Sequence, residues 1–367
     1  MSTAAEVRVR SLRVRAYQVP TESQPESDGT AEWTSTTLVL VELTAGDATG
    51  LGYTYADKAT ARFIDEVLRP YVDGADPFTI PAVATRLMHQ VRNHGRSGVA
   101  AMAVSAVDAA LWDLKSRLLG IPLFRLLGAA RDGAEVYASG GFTSYSEREL
   151  VERLAGCAEQ GFRRVKMKVG RDPKADARRV RAAREAVGPE VELFVDANGA
   201  YDRKQALRMA ESFAAQNVRW LEEPVSSDDL EGLRLVRDRA PPTMEVAAGE
   251  YGYHPVDFRR MLEAGAVDVM MADATRCLGV SGFLAAASLC DAFAVPLSAH
   301  CAPALHLHPC LSLQRFRHLE LFHDHVRIEA MLFDGAPRVR DGRLRADPSR
   351  PGSGLELKRE DALKFEV

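Results

Sequence analysis

The sequence predicts an α/β protein in which a closed parallel barrel follows a small antiparallel sheet. From Ala134 onward, short apolar segments alternate with helical ones, which is the pattern of repeated βα units in a parallel sheet. Eight apolar segments follow one another there, and eight parallel strands surrounded by helices close into a barrel. At 367 residues the chain also has room for a second domain.

Three segments before the barrel alternate apolar and polar residues with the period of two that is typical of strands: 7–17, 37–43 and 50–55. A turn at Gly46 and Asp47 separates the second from the third. The stretch 21–33 is polar and rich in turn formers, so we expect a solvated loop there. Apolar residues at helical spacing predict a long amphipathic helix over 98–119, which we expect to fasten the first domain to the barrel.

The predicted barrel strands are 135–139, 164–169, 191–195, 218–221, 244–248, 267–271, 295–298 and 318–321. Charged helical segments such as 172–187 and 227–239 lie between them and suit an outer ring of helices. After the eighth strand the chain becomes rich in turns, and we expect it to pack back on the first domain.

The composition argues against several classes of function. Lys and Arg number 47 against 51 Asp and Glu, and the formal charge of -4 is too balanced for a nucleic-acid or polybasic membrane surface. The five cysteines lack CxxC spacing, which indicates a reducing compartment. No signal peptide is apparent, and no segment approaches the roughly 20 apolar residues of a membrane span. We therefore expect a cytoplasmic protein that binds neither nucleic acid nor membranes.

Ionisable residues follow seven of the eight predicted strands, at the end where barrel enzymes carry their catalytic groups. With their polar neighbours they are Lys166, Lys168, Asp196, Asn198, Glu222, Glu223, Glu250, Asp273, His300 and Glu320. For any one of them, a helix cap or a satisfied core residue is the simpler interpretation. Their occurrence at successive strand ends favours one shared site.

Three of these carboxylates predict a metal site. Asp196, Glu222 and Glu250 follow three consecutive strands and should converge on one side of the barrel mouth. Without a counter-ion, three crowded carboxylates would repel one another and take up protons. Mg²⁺ prefers hard oxygen ligands of this kind and keeps positions open for a substrate.

Two further groups are candidates for proton transfer. Lys166 and Lys168 share one face of their strand, and two ammonium groups beside a metal ion depress each other's pKa, so one lysine can act as a base near neutral pH. His300 and Asp273 can form a pair in which the aspartate fixes the imidazole tautomer. Glu320, if protonated, can donate a hydrogen bond to the substrate carboxylate.

These residues resemble those of the enolase superfamily, specifically its mandelate racemase subgroup, over nearly the whole chain. Lys166 and Lys168 are similar to the KxK motif of the subgroup, whose second lysine is the base. The resemblance implies that the three carboxylates above hold Mg²⁺, that Asp273 and His300 form the second acid/base dyad, and that Glu320 is the electrophilic acid.

The resemblance also covers the helix at 103–113, which is similar to the linking helix of the subgroup. Asn198 and Glu223 sit beside the metal-ligand positions, where packing behind the ligands is the simpler interpretation, and Asn198 is a candidate for substrate binding. The sequence departs from the subgroup at Thr275, Arg276 and Cys277, where many members carry a lysine and two glycines. Arg276 is therefore a candidate for a different substrate contact.

The resemblance implies a modified TIM barrel, (β/α)7β, over residues 133–340 and an N-terminal α+β capping domain over 1–132. The tail 341–367 is expected to pack back on the cap. Substrate is expected between the two domains, under the loop 21–33 and the turn around 50–55. The family also implies a symmetric homo-oligomer.

The implied reaction is Mg²⁺-dependent removal of the α-proton of a small hydroxy carboxylate. Because the loop 21–33 is polar, we favour dehydration of an acid sugar to a 2-keto-3-deoxy acid. A racemase or epimerase of an α-hydroxy acid uses the same residues and is the alternative. A barrel that binds metal or ligand without turnover is a third reading, and the presence of Lys168 and His300 argues against it.

Overall fold

The structure is a computed structural model that describes residues 7–23 and 25–367 of the chain. The first six residues of the predicted cap, and Gln24 within the predicted loop 21–33, lie outside the described residues. None of the helices in the described ranges combines the length and the apolar content that a membrane span requires.

The N-terminal part is an antiparallel sheet covered by helices. Its strands are β1 (Ser11–Pro20), β2 (Glu26–Ser27), β3 (Glu32–Trp33), β4 (Ser35–Ala45) and β5 (Ala48–Tyr55), and its helices are α1 (Lys58–Phe63), α2 (Arg69–Val72), α3 (Ile80–Gln90), α4 (Val99–Leu118) and α5 (Leu123–Leu127). The central strand β4 pairs with β1 and β5. Alternation along β4 places Val39, Val41 and Leu43 in the apolar core of this domain, beneath α4.

The stretch 21–33 is not the solvated loop that its composition predicts. β2 and β3 pair as a short antiparallel hairpin, and Glu26, Ser27 and Asp28 are buried. Gly29 lies so close to the barrel that a Cβ there would be 2.3 Å from the carbonyl oxygen of Ala197. The hairpin therefore rests on the barrel mouth, and a distant part of the chain, not the local composition, determines its burial.

The described residues contain a closed barrel of eight parallel strands. The strands are β6 (Ala134–Ser139), β7 (Arg164–Lys168), β8 (Glu192–Asp196), β9 (Val218–Glu222), β10 (Glu245–Ala248), β11 (Val269–Ala272), β12 (Leu297–Ala299) and β13 (Phe316–Phe322). Each pairs with the next, and β13 pairs with β6 to close the ring. Each predicted barrel strand overlaps one of these.

Helices alternate with these strands on the outside of the barrel. They are α6 (Glu147–Glu159), α7 (Pro173–Val187), α8 (Arg203–Ala214), α9 (Leu230–Arg239), α10 (Pro255–Glu263), α11 (Gly279–Ala292) and α12 (Pro303–Cys310), and α13 (His323–Leu332) follows β13. In the part of the chain that is described, seven helices thus connect eight strands, and the predicted (β/α)7β barrel with an N-terminal cap is confirmed.

Aromatic side chains fill the barrel interior behind the mouth. Tyr137, Phe194 and Trp220 pack together there, and the rings of Phe194 and Trp220 stack with their centroids 5.2 Å apart. Because side chains alternate along a strand, Trp220 and Glu222 point to the same side of β9. The aromatic layer thus supports a carboxylate that faces the mouth.

The cap is fastened to the barrel through α4, as expected. Asp108 on α4 accepts hydrogen bonds from the backbone N–H of Ser281 at 2.9 Å and from its hydroxyl at 2.6 Å. Trp112 Nε1 donates to the same hydroxyl at 2.9 Å. Gly279 makes this approach possible, because a Cβ at that position would be 2.4 Å from Asp108 Oδ1.

The C-terminal tail contacts both domains. It contains β14 (Phe333–Asp334), β15 (Arg343–Leu344), β16 (Glu356–Leu357) and α14 (Arg359–Ala362). β15 pairs with the first barrel strand, β6. Further on, Arg359 donates to Glu42 on β4 at 2.6 Å, and a bridge joins Glu366 to Tyr17 on β1. The domain boundaries near 132 and 341 stay a prediction.

Candidate active site

Three buried carboxylates converge at the mouth of the barrel. Asp196 and Glu222 end β8 and β9, Glu250 follows β10, and one oxygen of each lies within 4.8 Å of the others. Asp196 Oδ1 accepts the N–H of Asn198 at 2.9 Å, and Glu222 Oε2 accepts the indole N–H of Trp220 at 2.8 Å. Glu250 Oε2 is buried and lies 3.2 Å from His300 Nε2. Hydrogen bonds from Asn198 and Trp220 thus orient the carboxylates of Asp196 and Glu222.

Lys166 and Lys168 project from β7 into the carboxylate cluster. Lys166 Nζ contacts Glu222 Oε1 and lies 3.3 Å from Asp196 Oδ2, while Lys168 Nζ lies 2.5 Å from the same Asp196 oxygen. Burial lowers the pKa of Lys168, but the charge of Asp196 outweighs it, and the pKa is raised above its ordinary value. The depression of the pKa expected for a lysine beside a metal ion stays a prediction.

His300 and Asp273 form the predicted pair. His300 follows β12, and its Nδ1 lies 2.8 Å from Asp273 Oδ2. The other oxygen of Asp273 accepts the backbone N–H of Thr275 at 2.7 Å, so the carboxylate is held from both sides. On the far side of the ring, His300 Nε2 lies 3.2 Å from Glu250 Oε2. Burial lowers the pKa of His300, but Cys301, Glu250 and Asp273 raise it, and the net shift is well above the ordinary value.

Glu320, on β13, contacts a lysine with one carboxylate oxygen and a backbone N–H with the other. Its Oε1 lies 2.8 Å from Lys166 Nζ, and its Oε2 accepts the backbone N–H of Cys301 at 3.2 Å. Burial raises the pKa of Glu320, but the charge of Lys166 lowers it further, and the net shift is below the ordinary value. Glu320 is an acceptor in these contacts, and its role as a donor to a substrate carboxylate stays a prediction.

Cys301 was missed by the sequence reasoning. Its Sγ lies 3.2 Å from His300 Nε2 and 3.5 Å from Glu320 Oε2. Burial, then the charge of Glu320, raises the pKa of the thiol to about 12, so it is protonated at neutral pH. A single cysteine without a motif partner gives no signal of such a position in the sequence.

The two predicted substrate-binding residues, Asn198 and Arg276, both line the cavity at the mouth. Arg276 donates to the backbone oxygen of Glu250 at 3.1 Å, its Nε lies 3.7 Å from Asp273 Oδ2, and its guanidinium lies over the ring of Tyr251. Asn198 Oδ1 is buried and accepts no hydrogen bond from the described residues.

Glu223 lies beside the same carboxylates without joining the predicted cluster. It is buried, has a positive φ of 38°, and its Oε1 has no hydrogen-bond partner within the described part of the chain. Burial, then the charge of Glu250, raises its pKa well above the ordinary value. The surroundings of Glu223 therefore disfavour its charged form.

A cavity of about 500 Å³ lies between the barrel and the cap, and the site residues that line it are Lys168, Asn198, Glu250, Arg276, His300 and Cys301. The hairpin β2–β3 and the end of β5 line it from the cap, as expected for the stretches 21–33 and 50–55. The start of β4 and His325 on α13 also line it, although the sequence did not point to them. A larger cavity of about 1180 Å³ lies beside α6 and α13, but none of the three carboxylates and not His300 lines it.

Comparison with known families agrees with this geometry. A model described as the mandelate racemase / muconate lactonizing enzyme N-terminal domain matches residues 11–128, and one described as enolase C-terminal domain-like matches residues 149–362. The chain belongs to the mandelate racemase/muconate lactonizing enzyme family. The resemblance inferred from the strand-end residues is thereby confirmed.

Members of this family are similar to the chain over most of its length. L-talarate/galactarate dehydratase of Salmonella typhimurium is 33% identical over 88% of this chain and 81% of its own. Among solved structures, a mandelate racemase/muconate lactonizing enzyme-like protein from Rubrobacter xylanophilus is 53% identical, with a TM-score of 0.96 over 98% of this chain and all of its own. A racemase from Streptomyces coelicolor with bound magnesium is 31% identical, with a TM-score of 0.92 over 98% of this chain and 100% of its own.

Proposed function

We propose that this protein is a Mg²⁺-dependent enzyme that dehydrates an acid sugar to a 2-keto-3-deoxy acid. One observation carries the proposal: a lysine and a histidine approach the same carboxylate cluster from different strands. Lys168 contacts Asp196, and His300 contacts Glu250. Lys168 ends β7 and His300 follows β12. Around the closed ring, two strands lie between β7 and β12 in one direction and four in the other. A base and an acid thus face each other across the cavity.

The carboxylate cluster fits Mg²⁺. Asp196, Glu222 and Glu250 supply buried oxygens that lie within 4.8 Å of one another. Hard oxygen ligands of this number leave coordination positions for a substrate carboxylate. When bound, Mg²⁺ supplies positive charge that stabilises the substrate carboxylate as the α-proton leaves. A magnesium-bound relative with the same fold supports this choice of metal.

Lys168 is proposed to remove the α-proton. The amine of Lys168 must be neutral to accept this proton. Burial lowers its pKa, but the negative charge of Asp196 raises the pKa by more. Once the charge of Asp196 is shared with a cation, that pKa falls toward the range in which a base acts. Lys166 stays charged beside Glu222 and Glu320 and is proposed to bind the substrate carboxylate.

His300 is proposed to supply the proton for the leaving hydroxyl. Lys168 takes the α-proton, the C–O bond at the β-carbon breaks, and the hydroxyl leaves as water with the proton from His300 Nε2. The enol that remains tautomerises to the 2-keto-3-deoxy acid. Asp273 orients the ring through Nδ1 and keeps it protonated. Protonation of the leaving hydroxyl by His300 therefore requires no other acid from the chain.

Racemisation is the second candidate, because the same two groups can exchange protons at one α-carbon from opposite faces. The similarity to a racemase with bound magnesium supports it. The similarity to a dehydratase, and the polar residues that the cap contributes to the cavity, favour dehydration. The cytoplasmic location and the homo-oligomer predicted from the sequence stay predictions.

A panel of acid sugars with Mg²⁺ distinguishes the two reactions. Formation of a 2-keto acid by the wild type, abolished in Lys168→Ala and in His300→Asn, supports dehydration. Inversion at the α-carbon without 2-keto acid formation from any acid sugar assigns the protein to racemisation instead. Solvent deuterium incorporation at the α-carbon in His300→Asn, and its loss in Lys168→Ala, identifies Lys168 as the first base.

A further inference from the structure

The cap side of the cavity carries negative but not positive charge. Among the described residues that line it from the cap, Asp28 and Asp57 are carboxylates, Gln18 is an amide, and Ser35, Thr36 and Thr37 bear hydroxyls. No lysine or arginine belongs to this set. A group that extends from the carboxylate cluster toward the cap therefore meets hydrogen-bonding side chains without a cation.

The cations of the cavity lie on the barrel side and already face carboxylates. Lys168 contacts Asp196, and His300 lies between Asp273 and Glu250.

The guanidinium of Arg276 is balanced by the same carboxylates as His300. Its NH1 lies 3.4 Å from Glu250 Oε1, and its Nε lies 3.7 Å from Asp273 Oδ2. Asp273 is not one of the carboxylates proposed to hold Mg²⁺, so a second substrate carboxylate would have to compete with Asp273 for Arg276.

His325 also lines the cavity and offers it a hydrogen-bond donor without a positive charge. Burial lowers the pKa of His325 to about 3, so the ring is neutral at neutral pH. Its Nδ1 accepts the backbone N–H of Ala302 at 3.2 Å, which leaves the proton on Nε2, and the ring stacks on Tyr55 with the centroids 3.4 Å apart. The imidazole N–H can donate to a substrate hydroxyl, but it brings no positive charge that would balance a second carboxylate.

Asp28 lines the cavity from the cap hairpin and is held there by hydrogen bonds. Its Oδ1 accepts the backbone N–H groups of Thr30 at 2.7 Å and Ala31 at 2.6 Å, while its backbone oxygen accepts the Thr143 hydroxyl at 2.7 Å. The adjacent Gly29 is seated on the barrel rim. Because its second oxygen receives no hydrogen bond from the described residues, Asp28 retains an acceptor for a ligand.

We propose that the substrate is an aldonate, with one carboxylate bound at the carboxylate cluster and hydroxyl groups at its far end, and that Asp28 accepts a hydrogen bond from one of those hydroxyls. This rests on the proposed function, since it assumes that the cavity binds an acid sugar. A site built to hydrogen-bond hydroxyls rejects a like-charged group strongly, because the two anions repel and both lose their hydration. Asp28 is thus a residue that determines specificity between aldonates and aldarates.

The first test uses the wild-type chain with Mg²⁺ and six-carbon aldonates, each paired with the aldarate of the same configuration. We expect kcat/KM for the best aldonate to exceed that of its paired aldarate by at least about 100-fold. Equal or faster turnover of aldarates overturns this inference and leaves the proposed dehydration standing. Absence of turnover and of α-proton exchange with both classes overturns the proposed function and this inference together.

The second test assigns the discrimination to Asp28. Asp28→Asn keeps an oxygen for the loop N–H groups but removes the charge, so the ratio of kcat/KM for aldonate over aldarate should fall by about 10-fold or more. Glu32→Gln is the matched control, because Glu32 lies in the same hairpin but pairs with Arg171 and does not line the cavity. An unchanged ratio in Asp28→Asn, or an equal fall in Glu32→Gln, overturns the role of Asp28.

Discussion

Replacing Asp273 by asparagine isolates what this carboxylate does for the imidazole of His300. The Oδ2–Nδ1 distance is 2.8 Å and both groups are buried. A hydrogen bond between charged groups contributes about 1.5–3 kcal/mol. If that contribution acts on the protonated form of His300, its loss corresponds to roughly a 10- to 150-fold decrease in the rate of 2-keto acid formation. The steric change is small, because the amide has the shape of the carboxylate.

The same substitution should change the pH profile in a defined direction. Asp273 is one of the groups that raise the pKa of His300 in the folded protein. Without its charge that pKa falls, so the protonated acid is lost at a lower pH. We therefore expect the alkaline limb of the kcat profile for dehydration to move to lower pH, while α-proton exchange, which depends on Lys168, is affected less.

The assay follows 2-keto acid formation and deuterium incorporation on the same samples. Asp176→Asn is the control, because Asp176 is also buried and accepts two hydrogen bonds, from Gly170 N–H at 2.9 Å and the Tyr201 hydroxyl at 2.6 Å, away from the cavity. Equal rates of dehydration in wild type and Asp273→Asn, or equal losses in Asp273→Asn and Asp176→Asn, would refute the reasoning. Melting temperatures exclude loss of folded protein as the cause.

Two other perturbations have expected outcomes. Glu222→Gln should weaken Mg²⁺ binding measured by calorimetry by at least about 10-fold and nearly abolish turnover, whereas unchanged Mg²⁺ affinity would remove Glu222 from the metal site. Burial, then the charge of Asp324, raises the pKa of Glu26 from 4.5 to about 8. The unfolded chain therefore loses this proton before the folded one, and stability falls as pH rises from 4.5 to 8. Glu26→Gln removes the effect, so its melting temperature relative to wild type should rise by about 2 °C or more between pH 5 and pH 8; a constant difference would contradict the assignment.

The positions of the site residues were predictable because they depend on a rule of the fold. Side chains at the ends of parallel barrel strands must meet at one mouth, so Asp196, Glu222 and Glu250 come together once the strands are placed. Alternation along a strand similarly places Lys166 and Lys168 on one face. Neither conclusion needs the distance between any two atoms.

The pKa shifts of the site residues were not predictable, because they depend on the distances between charged atoms. The pKa of Lys168 is decided by a 2.5 Å contact with a carboxylate from the next strand, and that of Glu320 by Lys166 at 2.8 Å. The burial of the polar hairpin has the same kind of cause, since Gly29 packs against Ala197 at the barrel mouth, which is distant in sequence. Local composition does not contain such contacts.

The three tryptophans of the chain lie in three different regions of the structure. Trp33 lines the cavity from the cap hairpin, Trp112 bonds Ser281 where cap and barrel meet, and the indole of Trp220 donates to Glu222 in the carboxylate cluster. Indole emission responds to the polarity and the hydrogen bonding around the ring. Variants that each retain a single tryptophan would therefore report separate events by fluorescence. Trp33 would report substrate entry, Trp112 the contact between cap and barrel, and Trp220 the binding of an ion by the carboxylates.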